Sequence, residues 1–187
     1  MHVVETELPG VVVIEPKVFG DSRGYFSEVF NRVRYEDSTT TEAAASMDKI
    51  VQINLSHSVK GTLRGLHYQE PNPQGKLVWV ISGVVRDIAV DIRKGSPTFG
   101  KWTAVELSGD NHRQVWIPPS YAHGFVVLSD DADFMYACTD LYSAADEHSI
   151  LWNDPDLGID WGVDEPLLSD KDKAAPRLVD AQDLPTF

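Results

Sequence analysis

Cysteine is nearly absent from this sequence: Cys138 stands alone among 187 residues. One thiol cannot close an intrachain disulfide and supplies no thiolate set for a metal. A reducing, cytoplasmic setting is therefore expected, with Cys138 read as a small buried apolar residue. Long hydrophobic runs are missing too. No stretch approaches the roughly 18 apolar residues of a membrane span, and the N-terminus has no basic segment followed by an apolar one, so neither a membrane helix nor a signal peptide is expected. Positive charge is scarce, with 16 Lys and Arg against 29 Asp and Glu, a formal charge of -13 and a pI near 4.7. This argues against general affinity for nucleic acid or anionic membrane; a small anionic ligand would need a local basic pocket. None of the 6 histidines forms an H-x-H or H-x3-H pair, so no metal site is expected. The absence of a G-x-S-x-G elbow removes a Ser-His-Asp hydrolase of that type.

What the chain does contain is a series of short apolar runs. Val11–Glu15, Tyr25–Phe30, Ile50–Ser56, Lys76–Ile81, Val84–Ile92, Lys101–Leu107, Arg113–Ile117, His123–Leu128 and Phe134–Tyr142 read as strands. Gly, Pro, Asp and Asn separate them at Gly20–Gly24, Ser82-Gly83, Gly95-Ser96-Pro97, Pro118-Pro119 and Ser129-Asp130-Asp131. Asn31–Asp48 reads as a short helix plus loop. With no long segment of 3.6-residue period, the pattern predicts an all-β sandwich or barrel. The length suits a single domain spanning 1–187, and the Asp-, Pro- and Trp-rich stretch after Tyr142 is too short for a core of its own and reads as a C-terminal cover.

Several strands offer polar residues where a buried face would be apolar: Gln52 and Asn54, His67, Lys76, Asp87 and Asp91, His123, Tyr136. Each alone is equally a residue facing water. Together they predict a polar pocket inside the barrel, with the apolar rows Val51, Ile53, Leu55 and Val84, Ile88, Val90 packed against a second sheet. The most pointed stretch is Gly61–Gln69, where Arg64 and His67 lie three residues apart. Strict alternation puts Arg64 and His67 on opposite faces. A shared site therefore requires a twist or bulge, and Gly65 is the residue that would permit it. Histidine suits a general base near neutrality, a carboxylate behind it would orient the ring, Tyr136 would serve as an acid and Lys76 would steady an oxyanion. Spacing does not pair the carboxylates with the histidines.

These residues fall in a set of linked motifs: Phe19-Gly-Asp-x-Arg23-Gly-x-Phe26-x-Glu28, Gln52-x-Asn54-x-Ser56, Leu63-Arg64-Gly-Leu-His67-x-Gln69, Gly75-Lys76, Asp87-x-x-x-Asp91-x-Arg93, Ala122-His123-Gly-Phe125, Tyr136 and Leu168-Ser-x-Lys171-Asp172. From about residue 5 to residue 178 the chain resembles the dTDP-4-dehydrorhamnose 3,5-epimerases. The resemblance implies a cupin-type antiparallel jelly roll that works without metal or other cofactor, forms a homodimer and acts on dTDP-4-dehydro-6-deoxy-glucose in dTDP-rhamnose biosynthesis. It implies His67 as base, Asp172 as its partner, Tyr136 as acid and Lys76 as the group stabilising the enolate. Arg23, Glu28, Gln52, Asn54, Arg64, His123, Glu147 and Lys171 fall at substrate-contact positions, and Phe19 and Phe26 near the nucleotide. Arg forks suit diphosphate oxygens. Structural roles stand beside these: a turn residue for Arg23, an ion pair for Glu28 and Arg64, plain packing for the two phenylalanines, a solvated face for Glu147.

Leu141 departs from relatives that carry an aromatic residue there. Rival readings are an epimerase inverting only carbon 3 or only carbon 5, a ketoisomerase on the same scaffold, and a non-catalytic sugar-nucleotide binding jelly roll.

Overall fold

Short β-branched and aromatic runs between turn residues give thirteen strands among the described residues, which are 1–38, 47 and 49–187 of a computed structural model. One antiparallel sheet has six strands, in the order β1 (His2–Glu5), β2 (Val12–Glu15), β10 (Gln114–Ile117), β7 (Lys76–Ser82), β12 (Asp131–Cys138) and β5 (Gln52–Val59). The other has five, in the order β13 (Glu147–Ser149), β6 (Leu63–Gln69), β11 (Tyr121–Val127), β8 (Val84–Asp91) and β9 (Trp102–Ser108). A separate hairpin pairs β3 (Val18–Asp21) with β4 (Gly24–Ser27). This is the expected antiparallel sandwich of jelly-roll type, with short helices and a C-terminal cover.

Three apolar layers hold it. Between the sheets lie Val78, Val80, Val85, Ala89, Leu107, Phe125 and Phe134. Behind the five-stranded sheet, Leu63, Leu66, Tyr68, Ile88 and Val90 meet Ile150, Leu157, Trp161 and Leu178 of the C-terminal segment. Behind the six-stranded sheet, Ile14, Leu77, Trp79 and Trp116 pack with Tyr35 of helix α1 (Arg32–Ser38). That helix matches the start of the expected helix plus loop; residues 39–46 and 48 of that reading lie outside the described residues. Because β8 contributes Val85 and Ala89 to one layer and Ile88 and Val90 to another, both of its faces are largely buried, and the charged residues Asp87 and Asp91 are buried with them.

The C-terminal segment is fixed to the sheet by hydrogen bonds as well as by packing. Leu63 N donates to Leu167 O at 3.0 Å and Leu167 N to Gly61 O at 2.8 Å. Trp102 Nε1 donates to Leu157 O at 3.0 Å, and Leu178 N to Asp154 Oδ2 at 2.7 Å. These ties bring helix α2 (Asp170–Lys173) against β6. No helix among the described residues is long and apolar enough to cross a membrane.

The two apolar rows expected to pack against a second sheet both fail to do so: Ile88 and Val90 of β8 pack against the C-terminal segment instead, and the row on β5 stays exposed. Val51, Ile53 and Leu55 do not pack against a second sheet: they are 58%, 60% and 62% exposed. The strand alternates as read, but it sits at the end of its sheet and turns Gln52, Asn54 and Ser56 inward. Strands β1, β3 and β13 escaped the pattern. All four β3 positions are exposed and all three β13 positions are intermediate, so neither has an in–out alternation to read.

Candidate active site

The site begins with a change of phase in β6. Leu63 lies in the same apolar layer as Leu66 and Tyr68, which strict alternation forbids for an odd and two even positions. The ladder to β11 shifts register between His123 and Phe125, opposite Gly65, whose φ is +117°. After that shift Arg64 and His67 line one pocket. Gly65 therefore does what the sequence required of it, and Leu66 and Tyr68 remain in the core.

His67 Nε2 lies 2.6 Å from Asp172 Oδ1. Committing that nitrogen to the carboxylate orients the ring and leaves Nδ1 for proton transfer. Asp172 is held from its other side: Ser169 caps helix α2, accepts from Asp172 N at 3.1 Å and donates to Asp172 Oδ2 at 2.8 Å. Burial pushes the Asp172 carboxyl up, but the hydrogen bonds from His67 and Ser169 and the charge of Lys171 outweigh it and hold it below its usual range.

The other wall belongs to the six-stranded sheet. Tyr136 on β12 and Lys76 on β7 line the same cleft as His67, about 510 Å³ in volume. Burial raises the Tyr136 hydroxyl above its ordinary value, opposed by the Arg64 charge. Burial lowers the Lys76 ammonium, with Cys138, Glu147 and Asp87 acting against the shift. A second lobe of about 360 Å³ shares His67, Lys76, Tyr136 and Glu147 and adds Gln52, Asn54 and Tyr142. Both volumes fall in the range of small-molecule sites. Chemically, the cleft sets an imidazole–carboxylate pair and a phenol on opposing sheets, with a primary amine beside the phenol. That arrangement can remove a proton from one face of a substrate and return one to the other.

Of the residues predicted from sequence, the cleft gathers His67, Asp172, Tyr136, Lys76, Arg64, His123, Glu147, Lys171, Gln52 and Asn54. Glu147 does not lie in a merely solvated run. It opens edge strand β13 opposite Gln69, and its carboxylate meets Lys171 Nζ at 2.6 Å and the Tyr142 hydroxyl at 2.9 Å. Burial raises the Glu147 carboxyl, and the bonds from Lys171 and Tyr142 bring it below its usual range. Asp91 is not at the cleft; it binds Arg93, Ser96 and Thr98 in a buried network of its own.

Phe19, Arg23, Phe26 and Glu28 are not brought to this chain's cleft. Phe19 and Phe26 stand 53% and 68% exposed on the β3–β4 hairpin. Arg23 pairs with Asp21 at 2.6 Å, and Glu28 with Arg34 at 3.0 Å. Sequence reasoning missed Tyr142, whose neighbour Leu141 is 62% exposed and outside the lining residues. It also missed Ser169, although Ser followed three residues later by Asp is a helix-start signal. Among the described residues, no group of three or more His, Cys, Asp and Glu is placed to hold a metal ion.

Residues 5–180 match the family model described as dTDP-4-dehydrorhamnose 3,5-epimerase. A protein of that name from Shigella flexneri is 54% identical over 97% of this chain and 98% of its own. One from Pseudomonas aeruginosa is 48% identical over 99% and 100%. The crystal structure of a dTDP-6-deoxy-D-glucose-3,5-epimerase from Legionella pneumophila Philadelphia 1, in complex with dTDP-4-keto-L-rhamnose, superposes with a TM-score of 0.93 at 51% identity, covering 100% of this chain and 98% of that one. A 3'-monoepimerase from Streptomyces bikiniensis in complex with dTDP-quinovose is similar at a TM-score of 0.89 and 38% identity, covering 100% and 93%. With the fold, the cleft and these matches in agreement, the chain belongs to the dTDP-4-dehydrorhamnose 3,5-epimerase family.

Proposed function

We propose that this protein epimerises dTDP-4-dehydro-6-deoxy-D-glucose at carbons 3 and 5 to dTDP-4-dehydro-L-rhamnose, in dTDP-rhamnose biosynthesis. The observation that carries this reading is the placement of the His67–Asp172 pair and Tyr136 on opposing walls of one cleft. The 4-keto group acidifies the protons on carbons 3 and 5. His67 takes one of them, and the electron pair moves onto the keto oxygen as an enolate beside Lys76. Tyr136 then delivers a proton to the opposite ring face, which inverts the centre. Arg64 and Lys171 supply cations for the diphosphate, and Gln52, Asn54, His123 and Glu147 contact the rest of the substrate. No cofactor enters these steps.

Inversion at both carbons is favoured over inversion at one by the higher identity to the 3,5-epimerases than to the 3'-monoepimerase. NMR of the product tests it: inverted configuration at both centres is expected, and inversion at carbon 3 alone assigns the protein to the monoepimerases.

The working form is read as a cytoplasmic homodimer. The exposed row Val51, Ile53, Leu55 with Val59 on an edge strand is an apolar surface suited to a second copy. The hairpin bearing Phe19, Arg23 and Phe26 is then free to complete the partner's cleft. Mixing inactive His67→Ala protein with weakly binding Arg23→Ala protein under exchange conditions is expected to restore part of the activity, because one heterodimer cleft receives intact copies of both residues. Additive residual activity with no recovery would remove the hairpin from the partner's site.

A further inference from the structure

The cleft wall that carries His67 carries a second imidazole–carboxylate pair. His123 Nε2 lies 2.7 Å from Asp87 Oδ2, and His123 and Asp87 are only 7% and 2% exposed. The His123 Cα lies directly opposite the His67 Cα in the β6–β11 ladder. Two imidazoles therefore stand side by side, each with its own carboxylate: Asp172 from the C-terminal segment behind one, Asp87 from β8 behind the other. The His123 ring also stacks on Phe134, centroids 6.1 Å apart and planes at 21°. It is fixed on two sides.

A carboxylate this deeply buried needs compensation. Its ion-pair partner among the described residues is His123. Asp87 lies one hydrogen bond behind His123, which lines the cleft together with Lys76, so the Lys76 ammonium provides a second positive charge nearby. No hydrogen bond or ion pair ties the Lys76 side chain among the described residues. The titratable and charged groups that share the cleft with Lys76 are Arg64 and His67 of β6, His123 of β11, Tyr136 of β12, Glu147 of β13, and Lys171 and Asp172 of α2, while Cys138 and Asp87 act on its charge from β12 and β8. Of the three carboxylates among them, Glu147 is engaged by Lys171 and Tyr142, and Asp172 by His67 and Ser169. Asp87 acts on the amine through space without bonding it, which leaves the three N–H donors of the ammonium for other partners.

We propose that Asp87 is a positioning residue of this site: its carboxylate orients the His123 ring by hydrogen bond and sets a fixed negative charge near the unbonded Lys76 ammonium. The inference rests on the epimerase reading above and adds to it a carboxylate that never touches substrate. Removing the charge while keeping the shape separates this role from packing. Asp87→Asn is expected to lower kcat about tenfold or more, as loss of an orienting partner commonly does, with the smaller effect on KM. The alkaline limb of its kcat–pH profile is expected to move to lower pH, because an ammonium that has lost a nearby negative charge gives up its proton more readily.

The experiment is kcat and KM against pH for wild type and Asp87→Asn, with thermal melting on both. A variant with wild-type kcat, or one whose kcat falls only with its melting temperature while the alkaline limb stays in place, overturns the proposal. A second readout does not depend on turnover. The His123 ring proton bonded to Asp87 is expected to give a downfield NMR signal that Asp87→Ala removes, and persistence of that signal in the variant equally overturns the proposal. Failure of the wild-type protein to exchange substrate protons overturns the epimerase reading instead, and the ring signal then still decides whether Asp87 orients His123.

Discussion

Replacing His67 by Ala is expected to lower proton exchange at carbons 3 and 5 together by about 10³-fold, within the usual contribution of a positioned general base. The two losses should match because, of the two carboxylate-backed imidazoles, His67 is the one open to the cleft, its side chain 28% exposed against 8% for His123. The second imidazole, His123, has Nε2 tied to Asp87 and is 7% exposed. Substrate affinity should change little, since the diphosphate contacts are assigned to Arg64 and Lys171 rather than to the ring. Exchange rates from NMR in deuterium oxide check this. Loss at one carbon with the other unchanged would mean that a different base serves the second centre.

Gly65→Ala is expected to destabilise the fold by about 3 kcal/mol or more and to remove activity with it. An added Cβ would lie 2.6 Å from His123 O and 2.7 Å from Gly124 Cα, and the φ of +117° is one that side chains with a Cβ rarely adopt. The obstructing atoms are backbone of β11, so no side chain can swing aside. Any relief must move the strand that bears His123, or undo the phase change that lets Arg64 and His67 share a cleft. Denaturant unfolding of the variant measures the effect. Stability within about 1 kcal/mol of wild type together with full activity would show that Gly65 does not set this geometry.

The same glycine shows how far the sequence could be read. Alternation located the conflict between Arg64 and His67, and their shared cleft follows from its resolution at Gly65. Polar residues on otherwise apolar strands located the inner wall correctly at Gln52, Asn54, Lys76, His123 and Tyr136, because a pocket must place polar groups where a core would not. Period alone could not say which face of β5 points inward. That depends on its place at the sheet edge, a property of topology. Pairings across long separations were equally hidden: His67 meets Asp172 over 105 residues, and His123 meets Asp87 over 36. Strand β13 was unreadable because three polar residues at half-buried positions carry no apolar signal, although their backbone pairs with β6 and places Glu147 at the cleft.

The central claim is that a base and an acid on opposing sheets act on both acidified carbons of one sugar. Incubation of the wild-type protein with dTDP-4-dehydro-6-deoxy-glucose in deuterium oxide tests it most directly. The acid exchanges its proton with solvent before delivering it, so deuterium is predicted at both carbons 3 and 5 of a product inverted at both. Inverted product without label, or substrate recovered unlabelled, would contradict the account.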